Sequence, residues 1–210
     1  MRFIVILFLI LLRAEALEFF TGLYYAEQNI EIFTYEPDQD YATFTSVGIV
    51  TPVIGMRTEE KAIGHSSFKY FFEFGGGTFE MDRQETLSPI NREITISGGS
   101  NKDMGTSVSG YYAYVTPTLA YIFAYRGLSF KAGAGLGISY LDIHGDFVAN
   151  RFDNQKYTVN ASGMDLSIGF MGEIRLNQLS FYLEAYDAST QKNDITYEFV
   201  TSSFGFRYYF

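Results

Sequence analysis

The chain has no cysteine and no tryptophan, and only two histidines and four prolines in 210 residues. Without cysteine there is no disulfide framework, thiolate metal site, cysteine nucleophile or lipid-modified N-terminal cysteine. An oxidising compartment stays open to it all the same. Two histidines offer little from which to build a metal centre or a general-base constellation, so neither metal nor cofactor is expected. A basic cluster is missing too: 15 Lys and Arg against 24 Asp and Glu give a formal charge of −9. Binding nucleic acid needs the opposite balance. No amphipathic helical stretch stands out. The apolar run Phe3 to Leu12 is about half the ~20 residues that a helix needs to cross a bilayer.

What the chain has in quantity is aromatic strand formers, 17 Tyr and 21 Phe, arranged with a period of two. At the C-terminus Phe204, Phe206, Tyr208 and Phe210 alternate with Ser203, Gly205, Arg207 and Tyr209. The same alternation predicts strands near residues 18–28, 43–54, 66–78, 108–125, 128–140, 160–176 and 179–188. Each is long enough for the roughly 9–11 tilted residues that cross a membrane as a strand. The facing of the first strand is ambiguous, because Phe19, Phe20, Leu23, Tyr24 and Tyr25 put apolar side chains on both sides. Pro117 removes a backbone donor from the fourth strand and suggests a bulge there. Arg126-Gly127 and Asn177-Gln178 read as two-residue turns. Residues 55–64 read as a polar connection, and residues 79–107 as a long polar loop in which Ile94 and Ile96 suggest an extra hairpin.

An aromatic face repeated on every strand, with no helix to cover it, has lipid as its simplest solvent. The expected fold is all-β, an eight-stranded antiparallel transmembrane β-barrel with short periplasmic turns and long extracellular loops. An open edge in lipid would leave backbone groups unpaired at several kcal/mol each, so the sheet has to close. At the N-terminus, Arg2, the apolar run and Ala14-Glu15-Ala16 read as a signal peptide over 1–16. That leaves 17–210 as a single outer-membrane barrel domain. With the N-terminal end of the barrel in the periplasm, both tight turns and Phe210 also fall there, and the longer loops fall outside.

The secretory signal, the alternation of short turns with long loops and the terminal Phe204-Gly205-Phe206-Arg207-Tyr208-Tyr209-Phe210 resemble the small eight-stranded outer-membrane proteins of Gram-negative bacteria. That group includes the OmpA transmembrane domain, OmpX and OmpW. The missing Trp departs from the usual aromatic girdle, and Tyr111, Tyr125, Tyr140, Tyr208 and Phe210 stand in its place. The resemblance implies that Phe204, Phe206, Tyr208 and Phe210 form the signal read by the barrel assembly machinery. It also implies an integral protein of the cell outer membrane, in contact with membrane lipid and lipopolysaccharide.

The predicted inner face carries Lys69, Glu73, Lys131, Asp165, Glu173, Arg175, Glu184 and Arg207. Buried charges must pair, and eight strands leave an interior just wide enough for side chains. The expectation is a salt-bridged, mostly plugged lumen in a monomeric barrel, serving envelope structure or loop-mediated surface interaction and adhesion with an extracellular ligand or host surface. One alternative is a narrow pore for small solutes, lined by the same charges. Another is a lipid-modifying enzyme, since His65-Ser66-Ser67 resembles the His-x-Ser element of lipid A deacylases, also eight-stranded barrels. Here, however, the histidine lies beside a periplasmic turn and lacks a placed acidic partner. His144, between Asp142 and Asp146, reads as part of a solvated loop. No catalytic residue is assigned.

Overall fold

The computed structural model of the chain describes residues 17–34, 42–81, 84–85, 106–148, 156–192 and 195–210. The predicted signal peptide, the acidic loop around Pro37 and the suggested hairpin at Ile94 and Ile96 lie outside the described residues.

Eight long strands form the wall: β1 (Leu17–Thr34), β2 (Ala42–Thr58), β3 (Phe68–Met81), β4 (Ser107–Tyr125), β5 (Leu128–Val148), β6 (Lys156–Leu176), β7 (Leu179–Lys192) and β8 (Ile195–Tyr209). Two-residue pieces at Lys61–Ala62 and Gln84–Glu85 add to its edges. Every strand pairs antiparallel with its neighbour in sequence, and β1 pairs with β8 from Phe20↔Tyr209 to Thr34↔Ile195, so the sheet closes into a ring. Strands of 14 to 21 residues exceed the roughly 9–11 that a membrane requires. Stretches expected to be loop continue as strand on the side away from the tight turns: β3 runs on through Phe79 to Met81, and β5 through Asp142 to Val148.

The turns form where left-handed backbone is cheapest or tolerated. Arg126 and Gly127 have φ of 48° and 85°, the pattern of a type I′ hairpin turn that suits the twist of the flanking strands. Asn177 takes φ 53°, one of the few non-glycine residues at ease there. Pro117 produces no register shift. The β4–β5 ladder skips from Val115↔Ile138 to Thr118↔Gly135 with equal residues on both sides. A bulge lies instead in β2 at Gly48, where Ala26↔Ile49 is followed by Glu27↔Val47; the extra residue reverses the facing of β2 above that point.

Facing follows the pleat. On β1, Phe20, Tyr24, Gln28 and Ile30 point inward, and Phe19, Leu23 and Tyr25 outward, which resolves the ambiguity of that strand. The outer wall carries a belt of exposed apolar side chains, among them Leu119, Tyr121, Phe130, Leu136, Leu166, Ile168, Phe170, Leu183, Phe204 and Phe206. A belt of this kind on a closed sheet is a lipid-facing surface.

The interior has two storeys. On the side away from the tight turns, Ile30, Phe44, Phe79, Val108, Tyr112, Leu141, Ile143 and Phe199 pack as one apolar cluster, with Phe79 stacked on Phe199 at 4.8 Å between centroids. On the turn side, the interior is charged. Small residues let the wall close on this filling: a Cβ on Gly135 would stand 2.5 Å from the carbonyl oxygen of Pro117, so β4 and β5 approach as closely as they do only because glycine is there.

Candidate functional site: the charged lumen

All eight strands contribute to the charged storey. Arg57 of β2 reaches Glu73 of β3 through Nη2 at 2.6 Å and Nε at 3.0 Å, and Glu173 of β6 through Nη1 at 2.8 Å. Glu173 also takes Lys131 of β5 at 2.9 Å. Arg207 of β8 donates from Nη1 to Glu73 at 2.9 Å and from Nη2 to Glu184 of β7 at 3.0 Å. Its Nε donates to the hydroxyl of Tyr24 on β1. Tyr114 of β4 and Tyr182 of β7 both donate to Glu73, at 3.2 and 3.1 Å, and Tyr209 donates to Glu173 at 2.6 Å.

Arg57, Lys131 and Arg207 thus face Glu73, Glu173 and Glu184, and the buried charges cancel. A lone buried ion would be several kcal/mol out of balance. In this network every carboxylate has a cation and two of them also take phenol donors, so the desolvation cost of each group is offset by several charge-assisted bonds. Aromatic faces complete the coordination: the Arg207 guanidinium lies 3.3 Å from the centroid of Tyr182 and 4.0 Å from that of Phe20, positions favoured by the ring quadrupole. Both arginines are 0% exposed.

A rim lies below this core. Lys131 bridges to Glu60 at 2.5 Å, and Lys69 meets the other oxygen of Glu60 at 3.3 Å. Glu60 lies in the turn after β2. Burial pushes its pKa up, but the adjacent Lys131 and Lys69 outweigh that effect, and its carboxyl titrates below the ordinary range. Arg175 forms a two-pronged pair with Glu18, at 2.7 and 2.9 Å, and caps the ring of Tyr209 at 4.0 Å.

Of the inner charges read from sequence, the structure joins Glu73, Lys131, Glu173, Glu184 and Arg207 in one network and puts Lys69 and Arg175 on its rim. Asp165 is a correction. It is exposed on β6, where it accepts bonds from Ser189 Oγ and its own neighbour's amide, both at 2.7 Å. The physical reason is a missing neighbour: the β6–β7 ladder stops at Gly169↔Tyr186, so Asp165 turns into the seam and takes the place of a backbone partner.

Arg57 was hidden in a polar run that reads as a turn, although it continues the inner-face alternation of Thr51, Val53 and Gly55. That period was the available signal. The inner tyrosines Tyr24, Tyr114, Tyr182 and Tyr209 give no comparable one, since tyrosine suits either face of a barrel. Beside Glu73 and Glu184 a gap of about 30 Å³ remains, room for one or two waters and far short of a solute. His65 is exposed in the turn between β2 and β3, and His144 is exposed on the opposite side of the barrel, 3.5 Å from Asp142. Among the described residues no group of three His, Cys, Asp or Glu stands ready to hold a metal. The terminal aromatics Phe204, Phe206, Tyr208 and Phe210 all face outward and are exposed.

No family model and no curated protein matches the chain. Among solved structures, outer membrane protein OprG from Pseudomonas aeruginosa superposes with a TM-score of 0.47 at 10% identity, covering 92% of this chain and 95% of that one. Neisserial surface protein A gives 0.42 at 9%, covering 93% and 100%, and the outer membrane protease OmpT from Escherichia coli 0.43 at 8%, covering 94% and 98%. At these values the likenesses are descriptive, and the assignment of the fold rests on the ring itself. Eight antiparallel strands closed on themselves, lipid-facing outside and charge-paired within, make this chain a β-barrel of the outer-membrane type.

Proposed function

We propose that the protein is a closed, non-conducting monomeric barrel that stands in the outer membrane as a rigid support, serving the envelope and presenting its extracellular strand ends and loops to the surroundings. The observation that carries this reading is the filled lumen. Arg57 and Arg207 are locked among three carboxylates, and an apolar cluster closes the storey above them. A secretory leader over residues 1–16 and recognition of the Phe204 to Phe210 strand by the assembly machinery belong to the same reading. With one histidine at each end of the barrel, a catalytic role has no constellation to rest on.

The surface so presented is acidic: Glu27, Glu31, Asp142 and Glu198 stand on the outer wall above the apolar belt. A partner that meets it is uncharged or cationic, by simple Coulomb preference. The test is single-channel recording of the refolded protein in planar bilayers, with heat-modifiable gel migration showing that a barrel has formed. The expected result is no conductance. Reproducible salt-dependent openings that change with Glu173→Gln would replace this reading with the pore. One observation favours that second reading: Glu73 and Glu173 each hold two cations, so a partner can be exchanged without leaving a carboxylate bare.

A further inference from the structure

The ring is not equally knit. The ladder between β2 and β3 runs only from Ile54↔Gly76 to Arg57↔Glu73, and contact resumes at Thr43↔Glu85 and Phe44↔Gln84. Between them, Val50–Val53 and Gly77–Glu80 face each other without pairing. Both segments are fully laddered on their other sides, to β1 and to β4. Pro52, which has no N–H to offer either neighbour, stands just where the ladder stops. The result is a notch of about 520 Å³ in the outer wall, lined by Val50, Pro52, Thr78, Glu80, Tyr111 and His144.

The height of the notch follows from the strands beside it. On β4 the outward residues on the turn side of Tyr111 are Ala113, Val115, Pro117 and Leu119, and beyond it come Ser109 and Ser107. On β5, Ile138 and Tyr140 give way to Asp142 and His144. Tyr111 and Tyr140 pack together at 5.8 Å on that boundary, where amphipathic rings mark the level of lipid head groups. The notch therefore straddles the change from hydrocarbon to head group. Unpaired strand edges are costly at this depth unless something polar meets them.

The lining narrows down what that something is. Glu80 in the notch and Asp142 beside His144 disfavour a phosphate or sulfate. Val50, Pro52 and the half-exposed ring of Tyr111 give an apolar and aromatic floor, while Thr78, Glu80 and the free backbone groups give a rim of hydrogen-bond partners. A ligand with one apolar face and a circumference of hydroxyls fits both, which is the surface of a sugar ring. We infer that the notch holds the uncharged saccharide head group of a glycolipid in the outer leaflet, its ring face on Tyr111 and its hydroxyls toward Glu80, Thr78 and the open edges of β2 and β3. The inference rests on the outer-membrane reading above but not on the closure of the lumen.

The test uses the folded barrel in nanodiscs that contain equal parts of glucosyl-diacylglycerol and phosphatidylglycerol, with native mass spectrometry to identify the lipid retained on release. Retention of one glucosyl lipid in preference to phosphatidylglycerol is expected. Tyr111→Ala and Glu80→Gln should each lower that preference about tenfold, the equivalent of one good polar or stacking contact. Tyr125→Ala, at the girdle on the turn side, should leave it unchanged. Equal retention of the two lipids, or equal losses in the Tyr111 and Tyr125 variants, would overturn the assignment. Saturable binding of free methyl glucoside that displaces no lipid would also overturn it, by making the occupant a soluble saccharide. Heat-modifiable migration of the same sample reports the barrel separately, so a failed notch is distinguishable from a failed fold.

Discussion

Arg57→Ala tests whether the lumen is held by its charges or merely tolerates them. Arg57 is fully buried and makes three charge-assisted bonds, two to Glu73 and one to Glu173. Removing one member of a buried pair typically costs about 3–5 kcal/mol, because the partner is left desolvated. Here neither carboxylate is stranded, since Glu73 keeps Arg207 and Glu173 keeps Lys131. The loss belongs at the low end, about 3 kcal/mol, or roughly two orders of magnitude in the folding equilibrium. With no tryptophan to report, urea unfolding of the refolded barrel in micelles would be followed by far-UV circular dichroism, and the midpoint shift multiplied by the common slope gives the energy. A double-mutant cycle with Glu173→Gln should recover part of the loss, because the charge that Arg57 neutralises disappears with it. A loss below about 1 kcal/mol, the range of exposed pairs, together with no coupling, would refute the argument.

Two further outcomes follow from the rim and the wall. Glu60 has a depressed pKa in the folded barrel, so the stability it adds is complete above the ordinary carboxylate value and fades as pH falls through its folded one. The gap between wild type and Glu60→Gln urea midpoints should be full near neutral pH and shrink below about pH 4; a gap independent of pH would contradict the pairing with Lys131. Gly205→Ala puts a Cβ 2.1 Å from the carbonyl oxygen of Leu23, whereas Gly172→Ala meets nothing nearer than 3.6 Å. Overpacking of the β1–β8 seam should cost the first variant about 1–3 kcal/mol, visible as a lower heat-modifiable yield, and leave the second near wild type.

The parts of this barrel that sequence makes legible are those set by a period of two. Strand number, the two tight turns, the outward aromatic face of β8 and the inner charges of β3, β5 and β6 all follow from alternation, because each residue's facing is fixed by its neighbours. What escapes are places where the ladder itself changes. The bulge at Gly48 reverses the facing of β2, and its one mark, a glycine inside a strand pattern, is shared by Gly133 and Gly135, which stay in register. The end of the β6–β7 ladder at Gly169↔Tyr186 turns Asp165 out of the lumen, although its parity is inward. Arg57 looked like turn chemistry because Thr58, Glu59, Glu60 and Lys61 follow it, yet burial is decided by the strand across the barrel. Pair selection inside the lumen is likewise a property of three dimensions: Arg57 and Glu173 stand 116 positions apart and meet only after closure.

The closure itself has a consequence for how the chain carries information. The amide of Phe210 donates to the carbonyl of Phe19 at 2.9 Å, and the β1–β8 ladder runs almost the full length of both strands. In the finished wall, then, the seam between first and last strand is as continuous as a seam joined by a hairpin, and more continuous than β2–β3. Geometrically the barrel has no beginning. The order of the strands is therefore carried by residue types such as Phe204, Phe206, Tyr208 and Phe210 rather than by the wall's geometry, and under the function proposed above these side chains would be the label that assembly reads on a cylinder whose own energetics are indifferent to where it was cut.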